Sequence, residues 1–387
     1  MAFKSNENFG LTLDELLMSR SEFEENNYFV NRSILRWGYN GFYTGGDGDI
    51  QTVSTPVMSA TGNKWKTISS NGDAHGGIKI DGTLWVWGSE GFYGRLGNNS
   101  YNNIVSTAFK IGTLNNWSKI SFGYEHTGAI KTDGTLWMWG RNSNGELGQG
   151  NTIHRSSPVQ VGTLSDWKTI NCGFNSTFAI KTDGTLWAWG YNNNGQLGQG
   201  TILDKSSPVQ VGTLSDWKTI ASGQSCTLAI KNDGTLWAWG YNNDGQLGDG
   251  TRIRKSSPVQ IGSLTNWKTL DCGLISGLGY TLAIKNNGTL WAWGDNTYGQ
   301  LGQGDRTSRS SPVQVGLLGG WKSISCGYSC SMSIRTDGTL WAWGYNNNGQ
   351  LGLGNTVHRS SPIQVGGYST WKFVEPSKYN TSVIALK

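Results

Sequence analysis

The dipeptide Trp-Gly recurs seven times at almost fixed spacing, at Trp37, Trp87, Trp139, Trp189, Trp239, Trp293 and Trp343, in steps of 50, 52, 50, 50, 54 and 50 residues. A second series runs in phase with it, at Trp65, Trp117, Trp167, Trp217, Trp267, Trp321 and Trp371. A period near 50 means one supersecondary unit copied around a ring or along an array. It overrides the two or three domains that a chain of 387 residues would otherwise suggest. With 57 Gly against 7 Pro, the unit reads as short strands joined by tight turns, not as collagen or a disordered linker.

The unit that begins at Trp167 can be taken strand by strand. Trp167–Ile170 reads as a first strand and Thr177–Lys181 as a second. Asp183-Gly184 follows and predicts a type I′ hairpin turn, which needs positive φ at both central residues. The signal recurs at Asp81-Gly82, Asp133-Gly134, Asp233-Gly234, Asn287-Gly288 and Asp337-Gly338. Thr185–Trp189 is a third strand, rich in β-formers. Ser207–Val211 is a fourth, with Pro208 at its start, where no ladder donor is needed. Four antiparallel strands per repeat, seven repeats and no helical period predict an all-β, seven-bladed β-propeller of four-stranded blades. Burying one Trp removes about 150–250 Å² from water, roughly 4–6 kcal/mol gross. The twenty tryptophans therefore read as core.

The chain ends show how the ring closes. Ser382–Lys387 aligns with the second strand of a repeat and stops where an Asp-Gly turn should come. Ile34–Gly38 aligns with the third strand and Thr55–Val57 with the fourth. Two C-terminal and two N-terminal strands thus complete one blade and remove the free sheet edges. Residues 34–387 are assigned to the propeller and residues 1–33 to a short N-terminal extension.

Net charge is +5, but residues 1–33 carry six carboxylates against three cations, so the basic balance lies in the propeller. It is too mild for a nucleic-acid signature, and no nucleic-acid partner is expected. No apolar run approaches the length of a membrane span, and no membrane insertion is expected. Met1–Gly10 is polar, unlike a signal peptide. Cys172, Cys272 and Cys326 share one repeat position, and Cys226 and Cys330 another. They read as small buried residues. Cys326 with Cys330 as a metal pair is the alternative. No phosphate loop and no nucleophile–base–acid set stands out, so no catalytic residue, metal or cofactor is assigned.

The string Trp-Gly-x-Asn-x-x-Gly-Gln-Leu-Gly, as in Trp189–Gly198, Trp239–Gly248 and Trp343–Gly352, resembles the regulator-of-chromosome-condensation repeat family. So do Gly123–Thr127 and the recurring Asp-Gly-Thr-Leu-Trp. The resemblance implies seven blades. One member is a nucleotide exchange factor that works through a β-wedge insertion. The longest departure here, four extra residues in Leu274–Tyr280, is too short for such a wedge. The Asn- and Gly-rich, nearly identical repeats also resemble proteins of tailed, especially marine, bacteriophages. In those, a short acidic head precedes the repeats, as Leu11–Glu25 does here.

Two sets of residues are candidates for contact on the rim. One is the basic residue before Ser-Ser-Pro: Arg155, Lys205, Lys255, Arg309 and Arg359. The other is the aromatic set in the loops after Trp-Gly, above all Tyr43, Tyr93, Tyr191, Tyr241 and Tyr345. Solvated charge and stapling between blades are the plainer readings of each. In residues 1–33, Leu11, Leu13, Leu16, Leu17 and Phe23 would form an anchor to another protein. The expectation is a non-enzymatic virion component, joined to other virion proteins through residues 1–33 and touching a host protein or glycan through the rim. The alternatives are a cytoplasmic protein-binding propeller that scaffolds complexes or regulates a small GTPase, or a lectin-like carbohydrate binder.

Overall fold

A computed structural model describes residues 32–387, apart from 60, 63, 276 and 277. The anchor residues Leu11, Leu13, Leu16, Leu17 and Phe23 lie outside the described residues. The described chain forms seven antiparallel sheets of four strands, in agreement with the repeat count. No helix among the described residues is long and apolar enough to cross a membrane. We number the blades in chain order: I starts at Trp65, II at Trp117, III at Trp167, IV at Trp217, V at Trp267 and VI at Trp321. Blade VII combines Phe373–Pro376 and Ser382–Leu386 with Ile34–Gly38 and Val53–Met58. Ile34–Gly38 pairs with Ser382–Leu386 in unbroken register, so the two chain ends knit the ring shut.

The Trp-Gly series holds blade to blade. Each Trp donates its Nε1–H to a backbone carbonyl of the preceding blade: Trp87 to Thr44, Trp139 to Arg95, Trp189 to Glu146, Trp239 to Gln196, Trp293 to Gln246 and Trp343 to Gln300, all at 2.8–2.9 Å. Trp37 makes the same bond to Gln350 across the seam, at 2.7 Å. In the same repeat the Asn knots its own loop: Asn192 Oδ1 accepts from Leu197 N, and its Nδ2 donates to the Thr201 and Leu203 carbonyls. Leu197 packs in the layer between blades III and IV with Phe178, Val211, Trp217 and Trp239. The most conspicuous motif of the sequence is thus scaffold.

Three local expectations are corrected. The Asp-Gly turn is not type I′. Only the glycine has positive φ, 81° at Gly184, and Gly184 N bonds back to the Lys181 carbonyl. That is a turn over Thr182-Asp183 closed by a left-handed glycine, a three-residue hairpin loop. Asp183 Oδ1 fixes it by accepting from Thr185 N and Oγ1, and Thr185 Oγ1 in turn accepts from Trp187 Nε1. The glycine is also required by proximity, since a Cβ there would lie 2.2 Å from the Ser215 carbonyl oxygen of the next blade's loop.

Second, the fourth strand starts at Lys205, not Ser207, and Pro208 lies inside it. The pairing slips between Ala188 and Gly190, so the proline occupies a bulge on the outer edge, where its missing N–H costs nothing. Third, six tryptophans are not fully core. Trp85, Trp137, Trp187, Trp237, Trp291 and Trp341 are half-buried. In five of these a lysine covers the ring: Lys79, Lys131, Lys181, Lys231 and Lys285 set Nζ 3.5–4.5 Å from the centroid.

Candidate functional site

The first strands of successive blades lie against one another all the way round and converge on the axis. That axis is closed by one loop. Between the two C-terminal strands, Ser377 takes the place of the glycine that blades II to VI have, and the loop to Ser382 is two residues longer than in blade III. Lys378 reaches across the axis, with Nζ 3.0 Å from Asp271 Oδ1 of blade V and 3.3 Å from the Ser222 carbonyl of blade IV. Tyr379 packs on Tyr124 of blade II and Phe174 of blade III, at 4.9 and 5.1 Å between centroids. Asn380 bonds Asp73 of blade I, and the Ser377 carbonyl accepts from Tyr328 N of blade VI. One loop therefore touches all six other blades and bars a ligand route through the axis.

The charges at this plug are matched. Burial disfavours the Lys378 ammonium, but the groups around it, Asp271 foremost, together outweigh burial and leave its pKa raised. Asp271 Oδ2 also accepts from Cys326 N. Nearby Glu375 is pushed up to about 8, first by burial and then by the Asp271 charge. Sequence reading missed the plug, although the break from Gly-x-x-x-Thr to Ser377-Lys378-Tyr379 in the last repeat was a visible signal.

No group of three or more His, Cys, Asp and Glu side chains among the described residues could hold a metal, so Cys326 and Cys330 gain no further ligand there. All five cysteines are free and buried, and burial pushes the Cys172 and Cys330 thiols up to about 12, far from thiolate. Burial brings His75 and His126 down to about 3, so both stay neutral.

The rim residues all fall on the face that carries the loops after Trp-Gly. Arg155, Lys205, Lys255, Arg309 and Arg359 each open the outer strand of blades II to VI, paired with the closing residue of the third strand, Gly140 to Gly344. All five are half-buried. Arg309 pairs with Asp305 at 2.7 Å and Lys255 with Asp249 at 3.7 Å. The more exposed side chains stand two residues earlier: Ile153 (57%), Leu203 (64%), Ile253 (65%) and Val357 (54%). Arg252, Arg254 and Arg306 are exposed beside them. Blades II to VI thus present a peripheral arc of aliphatic and cationic side chains. The sequence reading took up only its cations, although Ile153, Leu203, Ile253 and Val357 recur two residues before four of them.

The tyrosines divide. Tyr93 packs on His154 at 4.6 Å, and Tyr345 on Tyr298 and His358 at 4.8 and 5.0 Å, so these staple loops of neighbouring blades. Tyr43 is half-buried at a left-handed turn position, φ 55°. Tyr191 and Tyr241 instead share a cavity of ≈460 Å³ with Arg141, Asn144, Phe174, Asn175, Asn194, Gln224 and Ser225. Notches of ≈370–470 Å³ repeat on the outer wall between blades, each lined by Trp and Pro or Ser-Pro residues of the regular stacking.

Comparison with known proteins agrees with this geometry. The Regulator of chromosome condensation (RCC1) repeat is matched at residues 81–130, 133–180, 183–230, 233–274, 287–334 and 337–375, well over half of the chain. The chain is similar to the ultraviolet-B receptor UVR8 of Arabidopsis thaliana, 32% identical over 126 residues, 32% of this chain and 28% of the receptor. It is also similar to the RCC1 domain-containing protein RUG3, mitochondrial, of the same plant, 31% identical over 137 residues, 33% of this chain and 30% of that protein. Each match thus spans less than a third of the relative. Among solved structures, human WBSCR16 superimposes with a TM-score of 0.81 at 20% identity, covering 92% of this chain and 98% of that one. Prp20p from Saccharomyces cerevisiae, described with its binding properties to Gsp1p and histones, superimposes with a TM-score of 0.79 at 19% identity and 94% coverage of both chains. These likenesses establish the seven-bladed fold.

Proposed function

The chain belongs to the RCC1 repeat family, and from that premise we propose that it is a non-enzymatic, intracellular protein-binding propeller that holds its partner on the loop face. The observation that carries this reading is the arc of Ile153, Leu203, Ile253 and Val357. These are large apolar side chains left more than half exposed at one repeat position of blades II, III, IV and VI, beside cations. Alternating apolar and basic groups suit a partner surface that is acidic and studded with apolar residues. The plugged axis supports contact on a face over capture within the ring. The plant relatives favour this reading over a virion appendage.

Affinity capture tests it, with the wild-type chain compared against Ile153→Ser/Leu203→Ser/Ile253→Ser/Val357→Ser. Partners held by the wild type and lost by a variant of unchanged melting temperature support the reading. Partners held equally by both remove the arc. A nucleotide-exchange assay on any captured small GTPase then separates a regulator from a scaffold.

A further inference from the structure

The cavity between blades II, III and IV breaks the symmetry of the ring, and its chemistry differs from that of the arc. Its lining comes from the third-to-fourth-strand loops (Arg141, Tyr191, Tyr241) and the first-to-second-strand loops (Phe174, Gln224). Two blades further on, the corresponding space is filled. Tyr298 stands where Asn194 does and meets Tyr345, the counterpart of Tyr241, at 4.8 Å, while Tyr328 closes in at 6.1 Å. At blades II to IV these fillers are Asn194 and Gln224, and the space is open. Its volume of ≈460 Å³ falls within the range of small-molecule pockets, about 300–1,000 Å³.

Three features define what it would hold. Its walls pair aromatic rings with hydrogen-bonding side chains, an arrangement that grips a ligand with apolar faces and polar edges. The side chains of Tyr191, Tyr241, Asn194, Gln224 and Ser225 make no hydrogen bond to the described residues and are open to a ligand. The one cation is already committed. Arg141 Nη1 donates to Asn175 Oδ1 at 2.7 Å, and its Nε lies 3.8 Å from Glu125 and 3.9 Å from Glu146. An anionic ligand would have to compete with two carboxylates for that guanidinium. The floor is rigid, because Phe174 stacks on Tyr124 at 4.5 Å and both pack on Tyr379 of the axial plug.

We propose that this cavity is a metal-independent binding site for a neutral saccharide, with Tyr191 and Tyr241 supplying the ring surfaces and Asn194, Gln224 and Ser225 reading the hydroxyls. The site is built from residues other than the four exposed aliphatics of the peripheral arc. The test is a glycan array carrying neutral, sialylated and sulfated oligosaccharides, run with chelator present. Titration of the best neutral glycan follows, against the wild type, Tyr241→Ala and Gln224→Ala. Thermal melts confirm that both variants fold. Binding of neutral glycans, weakened at least about tenfold by Tyr241→Ala and also by Gln224→Ala, supports the site. No binding on the array overturns it. So do recognition confined to acidic glycans, abolition by chelator, and unchanged affinity in both variants. Serine variants of the arc should bind the glycan as the wild type does, so failure of this proposal and failure of the protein-binding reading remain distinguishable.

Discussion

The clasp between blades IV and III makes a sharp energetic prediction. The Gln196 carbonyl accepts two hydrogen bonds, from Trp239 Nε1 at 2.8 Å and from Thr227 Oγ1 at 2.9 Å. Thr227 and Trp239 are cross-strand partners, and both are fully buried. Trp239→Phe removes one donor and some volume, and Thr227→Val removes the other donor at nearly constant shape. Each single change leaves the carbonyl one partner, so the hydrogen-bond part of each loss should be about 1 kcal/mol. The double variant leaves a buried carbonyl with no partner, a desolvation cost of roughly 1–3 kcal/mol. The double loss should therefore exceed the sum of the singles by about 1–2 kcal/mol, and the cavity left by the smaller ring cancels in the cycle. Equilibrium unfolding in guanidinium, followed by circular dichroism and by tryptophan fluorescence, measures all four proteins where the two probes coincide. Additivity within about 0.5 kcal/mol would refute the reasoning, because it would mean that water reaches the carbonyl or that the loop relaxes to find another donor.

Three further outcomes follow from the same geometry. The raised pKa of Glu375, about 8, means that the folded chain holds a proton through neutral pH that the unfolded chain has released. That contribution is fully present below the unfolded value and is lost as pH rises toward 8. Glu375→Gln should raise the melting temperature at pH 8 and leave it unchanged at pH 4, and an equal shift at both would contradict the assignment. Gly184→Ala places a Cβ against the Ser215 carbonyl at φ 81° and should cost at least about 1–2 kcal/mol, read as a lowered denaturation midpoint. The turn carboxylates Asp133, Asp183 and Asp233 are held below the usual range, first by backbone N–H bonds from the following Thr residues. Their contribution is present above the unfolded pKa and lost as pH falls through the folded one. Asp133→Asn, Asp183→Asn and Asp233→Asn combined should flatten the acid limb of the stability profile below about pH 4.

The architecture was legible because the period is long, regular and marked by tryptophan, and because Ser382–Lys387 and Ile34–Gly38 align with successive strands of one repeat. The exact turn was not. Asp-Gly favours both the two-residue and the three-residue hairpin, and the pairing of Lys181 with Thr185 selects the latter. Pro208 was placed too early because a bulge leaves no mark in composition. The contact surfaces were harder. Arg155, Lys205, Lys255, Arg309 and Arg359 lie on the rim as expected, yet they are half-buried strand openers, and the exposed aliphatics next to them went unread. The axial plug and the proposed saccharide cavity lie where the repeat departs from itself. Arg141 stands where Tyr191 and Tyr241 occur in the next two blades, and Lys378-Tyr379 interrupts the last repeat. Such departures can be seen in the sequence, but only the folded ring shows what surrounds them.

On the proposed function, the peripheral arc of the loop face seats a protein partner. Hydrogen-exchange mass spectrometry of the chain, free and bound to a partner recovered by capture, tests it most directly. Protection should concentrate in residues 151–155, 201–205, 251–255 and 355–359, with the Asp-Gly turns on the opposite face unchanged. Protection confined to those turns, with none in the arc, would contradict it.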